Sequence, residues 1–352
     1  MTAVISSKGP PRLGFLGVGW IGRHRMQAIL ATGAAEAAAI CDPSPEMAAE
    51  AQKLAPGAKL VDSLEEMLSL GLDGVVIATP SAMHAAQSIQ ALTQGAAVFC
   101  QKPLGRTATE VRAVVAAARA ADRLLEVDLS YRFTEGMRRI REAIRAGELG
   151  SPYAIDLVFH NAYGPDKPWF RDPALSGGGC VMDLGVHLVD LALWALDFPR
   201  VARVSGSLFA GGEPLAGRTD RVEDYAVATI ELETGAVVRL ACSWNLHAGC
   251  DAVIAADFHG TSGGAALRNV NGSFYDFTAE RFHGTSRETL AVPPDEWGGR
   301  AAAGWALRLA GGTRFDPVAE QLVTVSEVLD RIYGRQDPLI PRATAEAIAA
   351  PA

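Results

Sequence analysis

From Leu13 to Val127 the chain alternates short apolar runs with longer stretches whose apolar residues recur at helical spacing. Leu13–Leu16, Ala37–Cys41, Gly74–Thr79, Ala97–Cys100 and Leu124–Val127 predict buried strands. Ile21–Ala31, Pro45–Leu54, Leu64–Leu70, Ala82–Gln94 and Ala108–Ala120 predict the helices between them. That alternation implies parallel strands with right-handed crossovers and helices on both faces of the sheet. After about residue 130 the rhythm changes. Tyr153–His160, Val201–Phe209, Tyr225–Leu232, Ala236–Trp244 and Ala252–His259 predict longer strands, two of them joined by the hairpin signal Glu233-Thr234-Gly235. Helices are expected at Thr134–Ala146, Asp183–Leu196 and Pro317–Tyr333, loops at Gly211–Gly217 and Pro293–Gly299, and a turn at Gly260–Gly264. The expected organisation is a parallel-sheet α/β domain over 1–130, a second α/β domain with a mostly antiparallel sheet over 131–340, and an alanine-rich tail over 341–352.

Composition narrows the function classes. A chain of 352 residues suits about two domains, and 49% hydrophobic with 20% charged residues is ordinary globular material. Net charge is -8 with the signs interleaved, so no basic stripe invites nucleic acid. Five scattered cysteines without CxxC spacing suit free thiols in a reducing compartment, and a cytoplasmic location is expected. Residues 1–11 lack the apolar core of a signal peptide. Asp183, His187, Asp190 and Asp197 interrupt the most apolar stretch, Val181–Phe198, which argues against a membrane span.

Chemistry enters at GVGWIG, where Gly17, Gly19 and Gly22 lie between the first strand and the first helix. Such a loop serves either as a tight turn or as a seat for a pyrophosphate on the N–H groups of Trp20, Ile21 and Gly22. Asp42, twenty residues beyond Gly22 at the end of the second strand, fits the ribose-binding acid of a dinucleotide site, or a helix N-cap. It would repel a 2′-phosphate, which favours NAD over NADP.

Two further strand ends carry polar residues at the edge where parallel sheets bind ligands. ATPSAMH places Thr79, Pro80, Ser81 and His84 after one strand, and CQKP places Gln101 and Lys102 after the next. His84 either contacts a cofactor or stacks in the first turn of its helix, and Lys102 either faces the cleft or is a surface lysine. In GGGCVMDLGVHLVDL, Asp183 and His187 are spaced i,i+4 and share one helix face, as a reactive pair or as a core histidine with a local carboxylate. No third ligand accompanies them, so no metal is expected. Tyr163, Lys167, Trp169 and Arg171 precede the glycine run and are candidates for the pocket mouth, with Trp169 either stacking on a ring or anchoring its loop.

GVGWIG, CDP, ATPSAMH, QKPL and GGGCVMDLGVHLVDL, in that order, make the chain resemble the Gfo/Idh/MocA oxidoreductases, which include glucose–fructose oxidoreductase and inositol dehydrogenase. The resemblance covers roughly residues 12–335. It implies an N-terminal Rossmann domain, a C-terminal α/β domain with a large open sheet, NAD(P), a sugar, cyclitol or polyol substrate, and a homodimer or homotetramer formed through that sheet. By the same resemblance Lys102 matches the lysine of the family's EKP motif, and Asp183 and His187 match its D-x-x-x-H. Gln101 departs from the family, standing where glutamate is usual. Lys102 would polarise the substrate oxygen, His187 would take its proton and Asp183 would position substrate or neighbouring side chains. The competing readings are a non-catalytic dinucleotide sensor of the same fold and a Rossmann-type methyltransferase, which leaves CQKP and DLGVH unexplained.

Overall fold

In the computed structural model, which describes residues 9–335 except Thr219, two sheets account for every strand. The first is wholly parallel. Its strands are β1 (Arg12–Leu16), β2 (Glu36–Cys41), β3 (Lys59–Leu60), β4 (Gly74–Ile77), β5 (Ala97–Cys100) and β6 (Leu125–Val127), in the order β3-β2-β1-β4-β5-β6. β4 and β5 are buried at every position, as expected of strands covered on both faces. The crossovers are helices α1 (Trp20–Ala31), α2 (Pro45–Gln52), α3 (Leu64–Ser69), α4 (Ser81–Thr93) and α5 (Ala108–Ala121). Strand order reverses between β1 and β4, which opens a crevice at their carboxyl ends.

The chain leaves this sheet through a short 3-10 turn, Ser130–Phe133, and α6 (Glu135–Arg145). The second sheet has nine strands. They are β7 (Pro152–Asn161), β8 (Val201–Ala210), β9 (Glu213–Pro214), β10 (Tyr225–Leu232), β11 (Val237–Ser243), β12 (Ala252–Gly260), β13 (Gly264–Asn269), β14 (Phe277–His283) and β15 (Ser286–Ala291). Their order is β15-β14-β13-β12-β7-β11-β10-β8-β9, and only the β7–β11 pair is parallel. Ile155, Leu157 and Phe159 of β7 are buried, as are Val238, Leu240 and Cys242 of β11. They face α8 (Val186–Ala195), which the chain reaches after the short helix α7 (Pro173–Ser176), and α10 (Glu320–Ile332), further along the chain, packs on α8 and β8. The alternate positions form an open face of ion pairs and small apolar side chains, including Arg239 paired with Asp156 at 2.6 Å. The apolar stretch Pro173–Ala195 is long enough to cross a membrane, and it is buried between this sheet and α10.

α9 (Arg300–Ala310), which the sequence pattern did not reveal, returns to the first sheet. Ala301, Ala302, Trp305 and Ala306 join the core of Leu13, Phe15 and Ile29, and Trp305 packs 5.8 Å from Phe99. α10 ties back in the same way, because Asp330 Oδ2 accepts the backbone N–H of Ala108 at 2.8 Å. The two halves are therefore braced from both sides of the crevice. Residues 341–352, the expected tail, lie outside the described residues.

Candidate active site

The glycine loop is shaped by close backbone approach. Gly17 has a φ of +81°, and a Cβ there would come within 2.6 Å of the Ala78 carbonyl oxygen. A Cβ on Gly22 would collide with the Gly17 carbonyl, so this glycine lets α1 pack onto the loop. Gly19 is different, because a Cβ there meets nothing within 4 Å. The space in front of it is open, at the N-terminus of a helix with no side-chain cap and no acid in its first turn. These are the requirements of a pyrophosphate seat. Trp20 borders that space, 54% exposed and 4.4 Å from the His24 ring.

Asp42 stabilises the loop. One oxygen accepts the Val18 N–H at 2.7 Å and the other accepts the Ser44 N–H at 2.9 Å. The cap of α2 is Ser44, whose hydroxyl accepts from Met47 N, so the N-cap alternative for Asp42 falls. The residues present fit a dinucleotide.

At the ends of β4 and β5, Thr79 donates its hydroxyl to Gln87 Oε1 at 2.6 Å, and Pro80 and Ser81 open α4. His84 is turned inward. Its Nδ1 lies 2.7 Å from the Pro103 carbonyl and its Nε2 lies 2.6 Å from the Thr79 carbonyl. Burial pushes its pKa down, against the pull of those two acceptors. The ring thus joins the two loops and has no nitrogen left for a ligand.

Lys102 reaches across the crevice. Its ammonium donates to Asp183 Oδ1 at 2.6 Å and to the Asp183 carbonyl at 2.8 Å. Trp244, at the end of β11, donates its indole N–H to Asp183 Oδ2 at 3.0 Å. Asp183 sits in a π-helical turn, Val181–Gly185, that runs into α8 and replaces the regular helix expected there. Glu223 braces the start of that turn, accepting the N–H groups of Gly179 and Val181 at 2.9 Å and the Tyr333 hydroxyl at 2.7 Å. A Cβ on Gly178 or Gly179 would strike Tyr333 or the Glu223 backbone, which explains the glycine run.

His187, at the start of α8, is 7% exposed and lies edge-on to Tyr131 at 4.9 Å. Its Nδ1 is enclosed and has no hydrogen-bond partner among the described residues, so Nε2 is the nitrogen left for a ligand. Burial, then the charges of Lys102 and Arg25, hold its pKa well below the ordinary imidazole value. That depression favours the unprotonated ring, the form that can accept a proton.

Gln101 donates its amide N–H to the buried carboxylate of Asp128. The other predicted residues stand further from this cluster. Tyr163 is 56% exposed and donates its hydroxyl to Asp251 at 2.5 Å. Trp169 stacks on Phe170 at 3.8 Å, and Phe170 meets Trp244 edge-on at 6.4 Å. Arg171 and Asn245 both lie against Gly164. Sequence reasoning missed Trp244, Glu223, Asp128 and Arg25. Asp128 alone had a legible signal, a charged residue directly after a buried strand.

Residues 12–129 match the oxidoreductase family with an NAD-binding Rossmann fold, and residues 137–266 match the GFO/IDH/MocA C-terminal domain. The 1,5-anhydro-D-fructose reductase of Ensifer adhaerens is 30% identical over 263 residues, 74% of this chain and 76% of the relative. Among solved structures, GenD2 from gentamicin A biosynthesis, in complex with NAD, is similar with a TM-score of 0.78 at 23% identity, over 95% of this chain and 96% of that one. KijD10, a 3-ketoreductase from Actinomadura kijaniata in complex with NADP, reaches 0.79 at 19% identity over 93% and 98%. The chain belongs to the Gfo/Idh/MocA family of oxidoreductases, with an NAD-binding Rossmann domain at its N-terminus.

Proposed function

We propose that the protein is an NAD-dependent dehydrogenase that transfers hydride between the nicotinamide and a carbinol or carbonyl carbon of a sugar, cyclitol or related polyol. One observation carries this reading. The Lys102 ammonium spends two of its three N–H donors on Asp183, and the third remains for a substrate oxygen in the crevice. In the oxidative direction that N–H stabilises negative charge developing on the oxygen, and neutral His187 takes the hydroxyl proton at Nε2. In the reductive direction the protonated ring returns it. Asp183, held by Trp244, fixes the lysine and offers its carboxylate edge to neighbouring hydroxyls. The bound nicotinamide supplies the hydride acceptor or donor. Tyr163, Trp169 and Arg171 belong to the outer pocket in this reading, with Trp169 joined to the centre through Phe170 and Trp244.

Asp42 supports NAD over NADP, because a carboxylate tied to the loop backbone would repel a 2′-phosphate. The open face of the second sheet, with Val227 38% exposed among its small residues, supports a homodimer or homotetramer built there. Five free cysteines support a cytoplasmic location. The test is a panel of sugars, inositols, sugar acids and nucleotide sugars assayed with NAD and NADP, read at the nicotinamide absorbance band. NAD-dependent turnover of a polyol is expected. Tight NAD binding with no turnover across the panel would favour the sensor.

A further inference from the structure

Asp128 follows β6 at the same edge of the sheet as Lys102 and is fully buried. Its Oδ2 accepts Arg25 Nε at 2.5 Å and the amide N–H of Gln101, and its Oδ1 accepts the Ser130 hydroxyl at 2.9 Å. The Arg25 side chain is only 8% exposed, and it projects from α1, the helix opened by the glycine loop. The backbone locks the same place, since Asp128 N donates to Cys100 O and Gln101 N donates to Ile77 O. The ends of β4, β5 and β6 and the pyrophosphate helix therefore meet at one carboxylate.

The charges there balance one to one. A buried carboxylate beside a buried guanidinium is tolerable when their remaining hydrogen-bonding sites are also satisfied. Gln101 supplies a donor to Asp128 without adding charge. A carboxylate at position 101 would face Asp128 Oδ2 across a hydrogen-bond distance, two acids with one arginine between them, which a buried site resists. Gln101 is also the residue directly before Lys102, so a single peptide unit links this network to the lysine.

We propose that Asp128 is a positioning residue for Lys102, acting through Gln101, and that this buried network holds one carboxylate. The site tolerates the carboxylate on either residue, provided the other is an amide. The proposal rests on the reading of Lys102 as the group that contacts substrate oxygen.

A charge-swap cycle tests it, with Gln101→Glu, Asp128→Asn and the double variant in the full-length protein. Thermal midpoint, NADH dissociation constant, KM and kcat are measured for each. Each single variant is expected to lower kcat by roughly tenfold or more, the scale of a small misplacement of a reacting group. The NADH dissociation constant should move less, because the glycine loop is untouched. The double variant should regain most of the midpoint and bring kcat to within about fivefold of wild type, a coupling that independent sites do not show. Gln101→Glu with wild-type midpoint and kcat would overturn the proposal, and so would a double variant no better than the worse single one. Recovery of the midpoint without recovery of kcat would reduce the network to a brace of the fold and also overturn the positioning role. If the wild type turns over nothing in the panel, the catalytic reading falls and takes the positioning role with it. The midpoint cycle would then still show whether one carboxylate is shared.

Discussion

Lys102 and Asp183 meet twice, through the side chain and through the backbone carbonyl of the same aspartate, at 2.6 and 2.8 Å. The lysine comes from the end of β5 and the aspartate from the π-helical turn of the second domain. Their double contact therefore spans the crevice between the parallel sheet and the second domain. A π-turn places one extra residue in its helical circuit, so it turns Asp183 relative to the regular helix that follows. This is a recurrent device for aiming a side chain at a functional site.

If that contact serves catalysis, Lys102→Met and His187→Ala should each lower kcat by roughly 10²–10⁴, the usual range for a positioned acid–base group. NAD affinity should change little in His187→Ala, because in the proposed reading Gly17–Gly22 and Asp42 would hold the opposite end of the cofactor. Lys102→Met leaves Asp183 without its ion-pair partner and should disturb nicotinamide placement as well. Steady-state kinetics with NAD titrations check this. Two variants within a few-fold of wild type would restore the sensor.

The buried histidine predicts a pH dependence with a definite sign. Its folded pKa is depressed by burial, then by Lys102 and Arg25. The acid limb of kcat/KM for oxidation should therefore lie below pH 6.5, the ordinary imidazole value. Residual activity in Lys102→Met should show that limb moved to higher pH, because a neighbouring positive charge is gone. Stability follows the same logic. Below pH 6.5 the unfolded chain binds a proton at His187 that the folded chain refuses, so stability is lost as pH falls toward the folded pKa. Midpoints of wild type and His187→Asn, compared between pH 5 and 8, should converge on the acid side. A constant difference would count against a depressed pKa.

The parallel half was legible because its strands are short, fully buried and separated by helical periodicity. Gly74–Ile77 and Ala97–Cys100 stand within two residues of their expected ends. The polar residues after those strands led to Lys102 for the same physical reason, and the rule applied once more after β6 reaches Asp128. α9 was hidden because its inward face is mostly alanine, in Ala301, Ala302 and Ala306, and gives little contrast in hydropathy. Its partner surface also lies nearly three hundred residues back in the chain. β15 carries mostly exposed residues at a sheet edge, so no alternation marks it. Trp244 and Glu223 reach the site by tertiary placement alone, and neither spacing nor periodicity announces them.

Asp42 is expected to set cofactor choice and also to hold the loop, and the two roles separate in one variant. Asp42→Ser removes the charge that repels a 2′-phosphate, and it weakens the contacts to Val18 N and Ser44 N. NAD affinity should fall, and the NADP-to-NAD affinity ratio should rise by tenfold or more, about 1.4 kcal/mol. Equal or tighter NADP binding by the wild type would refute the assignment. A fall for both cofactors at constant ratio would leave Asp42 with the loop alone.

Glu223 offers the sharpest separation between holding the site and reacting in it. It is 1% exposed, and a single oxygen accepts from Gly179 N, Val181 N and the Tyr333 hydroxyl. Burial pushes its carboxyl pKa up, while Tyr333 and the backbone donors pull it down. Its carbonyl also accepts from Cys180 N at 3.1 Å, and this contact survives any side-chain change. Glu223→Ala strands two buried N–H groups at the start of the π-turn, which costs roughly 2–6 kcal/mol at 1–3 for each orphaned donor. Tyr333→Phe removes one neutral partner and should cost only about 1 kcal/mol. Glu223→Gln keeps an oxygen acceptor and should fall between them. Urea unfolding ranks the three variants. If Glu223 acts by holding the turn, Glu223→Ala should also lower kcat while leaving the shape of the pH–rate profile unchanged, because Lys102 and His187 are both intact. A Glu223→Ala protein with wild-type stability would refute the brace. A changed pH profile would make Glu223 a participant in proton transfer.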